Sequence, residues 1–158
     1  MSLKAEALQE IQLTRHFFNR STRCLTEGDS GFRATPETMT VAQQVAHTAQ
    51  TIDWLREGAF EDRWDMDFEK AIGMTNGVTS LTAARRELDA AWERMLARVE
   101  ASSDAELAQP MADNPILGHR QRYNGIEALI DHTGHHRGAL AVYARLVGRV
   151  PEMPYGDA

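Results

Sequence analysis

Six histidines occur in the sequence, and three of them, His132, His135 and His136, fall within the short stretch DHTGHHRG. Imidazole offers a lone-pair nitrogen near neutral pH, so such a cluster points first to proton transfer or metal ligation. On a helical wheel of about 100° per residue centred on Leu129, His136 falls about 20° from the apolar centre and His132 about 60°, whereas His135 falls about 120° away. Two rings one turn apart therefore point inward. An i, i+4 pair on one face lets a single ion accept both nitrogens, as in the HExxH motif, although Thr133 stands here where that motif has Glu. The plainer reading is two core histidines, each satisfied by a hydrogen bond. Against it, two buried imidazoles need polar partners that an aliphatic core does not supply. Spacing alone leaves both readings open.

A third nitrogen would have to come from another element, and His47 is the one histidine of the second helix read below. The aliphatic stripe there is Val41, Val45, Ile52 and Leu55, and His47 lies off it with Gln43, Thr51 and Trp54. That pattern fits a solvent face. It equally fits a helix buried on two sides, which Ala42, Ala46 and Ala49 allow through close approach. His16, off the stripe of the first helix, and His119, in the loop before the last, read as surface residues. A di-iron carboxylate bundle needs Glu three residues before its histidines, but Gln44, Leu129 and Thr133 stand there. Cys24 is the only cysteine, which excludes an intramolecular disulfide, a Cys-based zinc site and a CxxC redox pair. No P-loop, GxGxxG or nucleophile elbow appears, and Glu61, Asp62 and Arg63 read as a solvated charged loop.

The elements that must carry these residues are helical. A first helix runs from about Leu3 to Leu25, stopped by Glu27-Gly28-Asp29, and a second from about Val41 to Glu57, with Thr40 as N-cap and Gly58 as stop. Ser80 caps a third, in which Leu81, Ala84, Leu88, Ala91, Trp92, Met95 and Val99 recur at helical spacing. The fourth runs from about Asn124 to Val147 and is closed by Gly148 ahead of Pro151. With no alternating strand pattern, the expected fold is an all-α antiparallel four-helix bundle. Two connections are longer than a simple bundle requires: Ala59–Thr79, and Ser102–Tyr123 with a short helix near Ser103–Leu107.

Length and composition bound the rest. At 158 residues, 42% hydrophobic and 25% charged, the chain has ordinary globular proportions and is expected to form one domain over residues 1–158. A formal charge of -6 lacks the basic excess of a nucleic-acid-binding surface. The opening MSLKAEALQE has no apolar core of a signal peptide, and no long window is free of charge, so neither export nor a membrane span is expected. A cytoplasmic location follows as the expectation.

The stretch DHTGHHRGALAVYARLVGRVPEMPYG resembles the last helix and tail of the DinB/YfiT-like bundle proteins. In that family an H-x-x-x-H pair followed by Arg-Gly, an apolar helix end and a Pro-x-x-Pro-x-Gly-like tail recur in this order. Here they are His132, His136, Arg137, Gly138, Val150, Pro151, Pro154 and Gly156. The family's remaining histidine lies inside its second helix, in a context similar to VAQQVAHTAQTIDWL, which maps onto His47. Ala139 departs from the Gln that many relatives carry after Arg-Gly. The resemblance implies one divalent ion (Zn, Ni, Fe or Mn) on His47, His132 and His136, with open positions, in a homodimer. Its characterised members are largely transferases and isomerases that activate a low-molecular-weight thiol at the metal. The expected function is thus a metal-dependent, thiol-dependent transferase acting on a small electrophile. The alternatives are a metal-dependent hydrolase and a non-catalytic stress-related bundle whose metal is structural or vestigial. Substrate contacts are expected from Trp64–Phe68, Pro115–Tyr123 and the tail Pro154-Tyr155-Gly156.

Overall fold

The computed structural model describes residues 2–155, so Met1 and the Gly156 of the tail motif lie outside the described residues. Among the described residues there are six α-helices: α1 (Leu3–Thr22), α2 (Val41–Glu61), α3 (Phe68–Asn76), α4 (Leu81–Glu100), α5 (Asp104–Leu107) and α6 (Asn124–Leu146). A 3-10 turn at Glu27–Asp29 precedes α2, and the described residues contain no strand. The four long helices form the bundle, and α5 is the short helix expected before the fourth of them.

Local chemistry accounts for the starts. Thr40 and Gln43 form a reciprocal capping box on α2: the Thr40 hydroxyl accepts from the Gln43 N–H at 3.2 Å, and Gln43 Oε1 accepts from the Thr40 N–H at 2.8 Å. Ser80 caps α4 by accepting from the Ala83 N–H at 3.1 Å. Gly148 sits at φ 79, the left-handed conformation that ends α6.

Helix α1 ends at Thr22, short of the expected Leu25, and the end of α2 and the connection after it also differ from the sequence expectation. Helix α2 runs through Gly58 to Glu61, because Gly58 serves packing and not termination: a Cβ there would meet the Trp64 ring at 2.5 Å. The helix stops at Asp62, at φ 53, whose carboxylate accepts from Arg122 at 2.8 Å, while Arg122 also donates to the Ala59 carbonyl at 2.6 Å. The long connection that follows is not a plain loop. It holds α3, capped by Asp67, whose Phe68, Ile72 and Met74 stay exposed and whose only buried residue is Thr75.

Contacts along the helices set their directions. Arg85, at the start of α4, donates to Thr22 at the end of α1, and Lys4 donates to Glu100, so α1 and α4 run antiparallel. Tyr143 reaches Met39 while Gly125 packs on Ala59, so α2 and α6 are antiparallel too. Arg94 pairs with Asp53 and Arg98 covers the Phe60 ring, which makes α2 and α4 parallel neighbours. The bundle is therefore up-down-down-up. The connection from Asp62 to Ser80 is long because it must return the chain along the bundle from the end of α2 to the start of α4.

All four long helices feed the core, with Ile11, Phe18, Ile52, Trp92, Met95 and Leu140 among its fully buried side chains. Each contributes on the order of 1.5–3 kcal/mol by leaving water. Helix α2 packs against both α4 and α6, which leaves Ala42, Ala46 and Ala49 buried. No helix among the described residues is long and apolar enough to cross a membrane.

Candidate metal centre

The two-sided burial of α2 decides the position of His47. Its aliphatic stripe faces the core, and its His47 edge meets α6. Close approach is possible because Gly125 carries no side chain: a Cβ there would lie 2.4 Å from the Ala59 Cβ. Further along the same seam, His47, His132 and His136 converge, offering nitrogens that all lie within 4.8 Å of one another. His132 Nε2 is 3.3 Å from His47 Nε2 and 3.2 Å from His136 Nε2. Nitrogens that share a tetrahedral ion at about 2.0–2.1 Å stand roughly 3.3 Å apart, so this spacing suits a single ion. His136 is buried and the other two rings are half-buried.

Protonation favours the same use. Burial pushes His136 down to about 3 and His132 down to about 4, with the neighbouring rings adding to the effect. His47 is lowered as well, first by burial and then by the charge of His135. All three are therefore neutral at pH 7 and keep a lone pair. His132 Nε2 lies within hydrogen-bond reach of both other rings and can donate to one of them, whereas an ion at the common point would use all three nitrogens as acceptors. A three-imidazole set of this kind fits a divalent cation such as Zn, Ni, Fe or Mn better than it fits an apolar core.

One participant was not expected. Gln44, buried on α2, bonds through Oε1 to His136 Nδ1. An amide oxygen can only accept, so Nδ1 carries the proton and Nε2 is left with its lone pair directed at the other two rings. In the sequence Gln44 stands out only as the residue that is not Glu three positions before His47. Its role depends on α6 docking against α2, which no local pattern announces.

The remaining histidines separate from this group. His135 is exposed, as its wheel position requires, and so is His119. His16 is half-buried and lines a different cavity, between α1 and α4, where its Nε2 is buried without a partner. Among the described residues of the three segments expected to meet substrate, those of the first border the histidines. Asp65, Asp67 and Phe68 line a cavity of about 510 Å³ with His47 and His132. The stretch before α6 instead braces the end of α2, through Ala112 and Arg122 on Asp62. Tyr155 packs on Phe17 at 5.2 Å, with Arg137 5.8 Å from each ring, so the Arg of the His-Arg-Gly run holds the tail against α1.

The sequence profile of the DinB superfamily matches residues 10–140, a span that contains α2, most of α6 and all three converging histidines. The chain belongs to the DinB superfamily. No protein of curated function matches it. A structural genomics crystal structure from Streptococcus pneumoniae is similar over 93% of this chain and 92% of that one, with a TM-score of 0.75 at 17% identity. That likeness concerns the fold. The match ends at Leu140, within α6 and ahead of the tail that packs on α1.

Proposed function

We propose that this DinB-superfamily protein is a metal-dependent transferase that joins a low-molecular-weight thiol to a small electrophile, using one divalent ion held by His47, His132 and His136. The observation that carries this reading is the convergence of three neutral imidazoles, one of them oriented by Gln44 and the other two lining an open cavity. A divalent ion there supplies Lewis acidity, favouring the thiolate over the thiol near neutral pH. The protein's own contribution is positional. Gln44 fixes the tautomer of His136, the α2–α6 seam sets the nitrogen spacing, and the cavity beside His47 and His132 receives the organic substrate.

A structural role for the ion is less well supported, because apolar side chains from all four long helices form a continuous buried core. A hydrolase needs a free carboxylate base. Of the cavity acids, Asp53 and Glu57 are engaged by Arg56, Arg63 and Arg94, which leaves Asp65 and Asp67 as the carboxylates open to that role. We further infer one domain, a cytoplasmic location and a homodimer, for which light scattering at micromolar concentration reads the mass directly.

The test compares melting and turnover before and after chelation, offering glutathione, mycothiol-like and bacillithiol-like thiols with a reactive electrophile. Metal-dependent thiol consumption by a protein that stays folded when chelated is the expected result. An apo-protein that unfolds and a holo-protein that consumes no thiol would favour the structural reading.

A further inference from the structure

We propose that the substrate has an elongated, apolar body that runs from the histidines to an aromatic end two helical turns away, and that Phe68, Ala71 and Met74 of α3 select it. This rests on the cavity beside the histidines being the substrate pocket of the reaction above. At about 510 Å³ it has the size of a small-molecule site.

The cavity is a trough between α2 and α3. On α2, His47, Gln50, Thr51 and Trp54 line it turn after turn, so Trp54 stands about 10 Å along the helix from His47. On α3 the lining residues are Phe68, Lys70, Ala71 and Met74. Hydrogen bonds fix the direction of α3. Just ahead of it, the Asp65 carbonyl accepts from the Trp54 indole N–H at 2.8 Å. At its other end the Thr75 hydroxyl donates to Gln50 Oε1 at 2.6 Å, and Gln43 Nε2 donates to the Asn76 carbonyl at 3.1 Å. Helix α3 is therefore antiparallel to α2, with Met74 towards the histidine end and Phe68 at the Trp54 end, its ring centre 6.2 Å from that of Trp54.

The apolar side chains of α3 have no use in the core. Thr75 is its only buried residue, and polar bonds near its two ends hold it on α2. Phe68 and Met74 stay exposed yet border the trough, the arrangement of a surface kept apolar for a ligand. The far end is backed from behind: Gly58 leaves room for Trp64, which meets Trp54 edge-on at 4.9 Å. A flat aromatic group ending there buries surface on Trp54 and Phe68 together. Charge sets no competing preference. Asp53 and Glu57 have arginine partners, Asp65 pairs with Lys70 at 3.5 Å, and the ion on the histidines offsets Asp67. The reacting group belongs at the histidine end, and the α3 wall grips the body behind it.

The experiment reads binding with probes that share one metal-binding head: imidazole, 1-benzylimidazole, 1-(4-phenylbutyl)imidazole and an N-linked polyether of the same length. At about pH 8.5 the imidazole head is neutral. Calorimetry and tryptophan fluorescence are recorded on the metal-loaded protein, and 4-phenylbutanol, which lacks the imidazole head, is titrated into the chelated one. Affinity should rise at least about tenfold from imidazole to the phenylbutyl probe, while the polyether gains little. Ala71→Phe, at an exposed helix position, should cancel that gain by filling the trough midway, and Phe68→Ala should cut it several-fold. Imidazole itself should bind both variants as it binds wild type. A polyether that gains as much as the phenylbutyl probe, or a gain unchanged in both variants, would overturn the proposal. 4-Phenylbutanol should bind the chelated protein and lose affinity in Ala71→Phe; no binding there would count against the trough independently of the metal. Selectivity for the long apolar probe without thiol chemistry would sink the thiol reading alone. Thiol transfer to electrophiles with no preference for an apolar body would sink this proposal alone.

Discussion

A cavity of about 520 Å³ between α1 and α4 and one of about 510 Å³ beside the histidines have nearly equal volumes, and their polar groups behave in opposite ways. In the first, the arginines are answered from within the chain. Arg15 bridges to Asp89 and Glu93, Arg20 and Arg23 bind Glu152 of the tail, and Arg85 donates to the Thr22 carbonyl at 2.7 Å, closing the C-terminal end of α1. Those charges tie α1 to α4 and to the tail. In the second, His47 and His132 line the cavity and converge with His136, which is held in its pose by a buried amide. A cavity whose charges are matched internally is bracing. A cavity whose acceptors converge on a common point is built for something else.

Substitutions can break that contrast. The largest loss of stability is expected at Arg122→Ala, about 3 kcal/mol, since it strips a buried hydrogen bond from Ala59 and the cation from Asp62. Urea unfolding should show it, with the bound metal unchanged per folded molecule. Hydrogen bonding from Arg122 holds Asp62 below the usual carboxylate range. A depressed native value stabilises fully above the unfolded value of about 3.9 and is lost as pH falls through the native one. The gap between wild type and Arg122→Ala should therefore be constant above about pH 5 and narrow in more acidic buffer. A gap that widened there would contradict the pairing.

Gly125→Ala should cost about 2 kcal/mol by forcing α2 and α6 apart, despite the better helix propensity of Ala, and should weaken metal binding with it. Gln44→Ala should act on the site instead. Metal affinity, read by chelator competition, is expected to fall about 10- to 100-fold while melting shifts little, and Gln44→Glu, which keeps an acceptor for His136, should restore much of it. Equal affinity in Gln44→Ala would show that the amide orients nothing. Least affected should be Arg15→Ala, whose exposed pairs across α1 and α4 are worth at most about 1 kcal/mol.

What could be read from sequence was local. Thr40, Ser80 and Gly148 mark their helix ends through contacts within a few residues, so the spacing announces them. The inward pair His132 and His136 follows from the apolar face of one helix, and His135 is exposed for the same reason. Signals that depend on packing were hidden. Gly58 reads as a stop because its real partner, Trp64, is reached only after the chain turns back. Helix α3 lacks a buried stripe, since Phe68, Ile72 and Met74 remain exposed. His47 stays ambiguous until α6 covers the second side of α2, and the family resemblance, not its periodicity, singled it out. Gln44 becomes meaningful only when His136 lies against it.

The central claim is tested most directly by elemental analysis of protein purified without a nickel column. Wild type and His135→Ala should each carry close to one divalent ion per chain, and a His132→Ala, His136→Ala variant should carry close to none. Metal-free wild type, undiminished metal in the double variant, or loss of metal in His135→Ala would each contradict the site described.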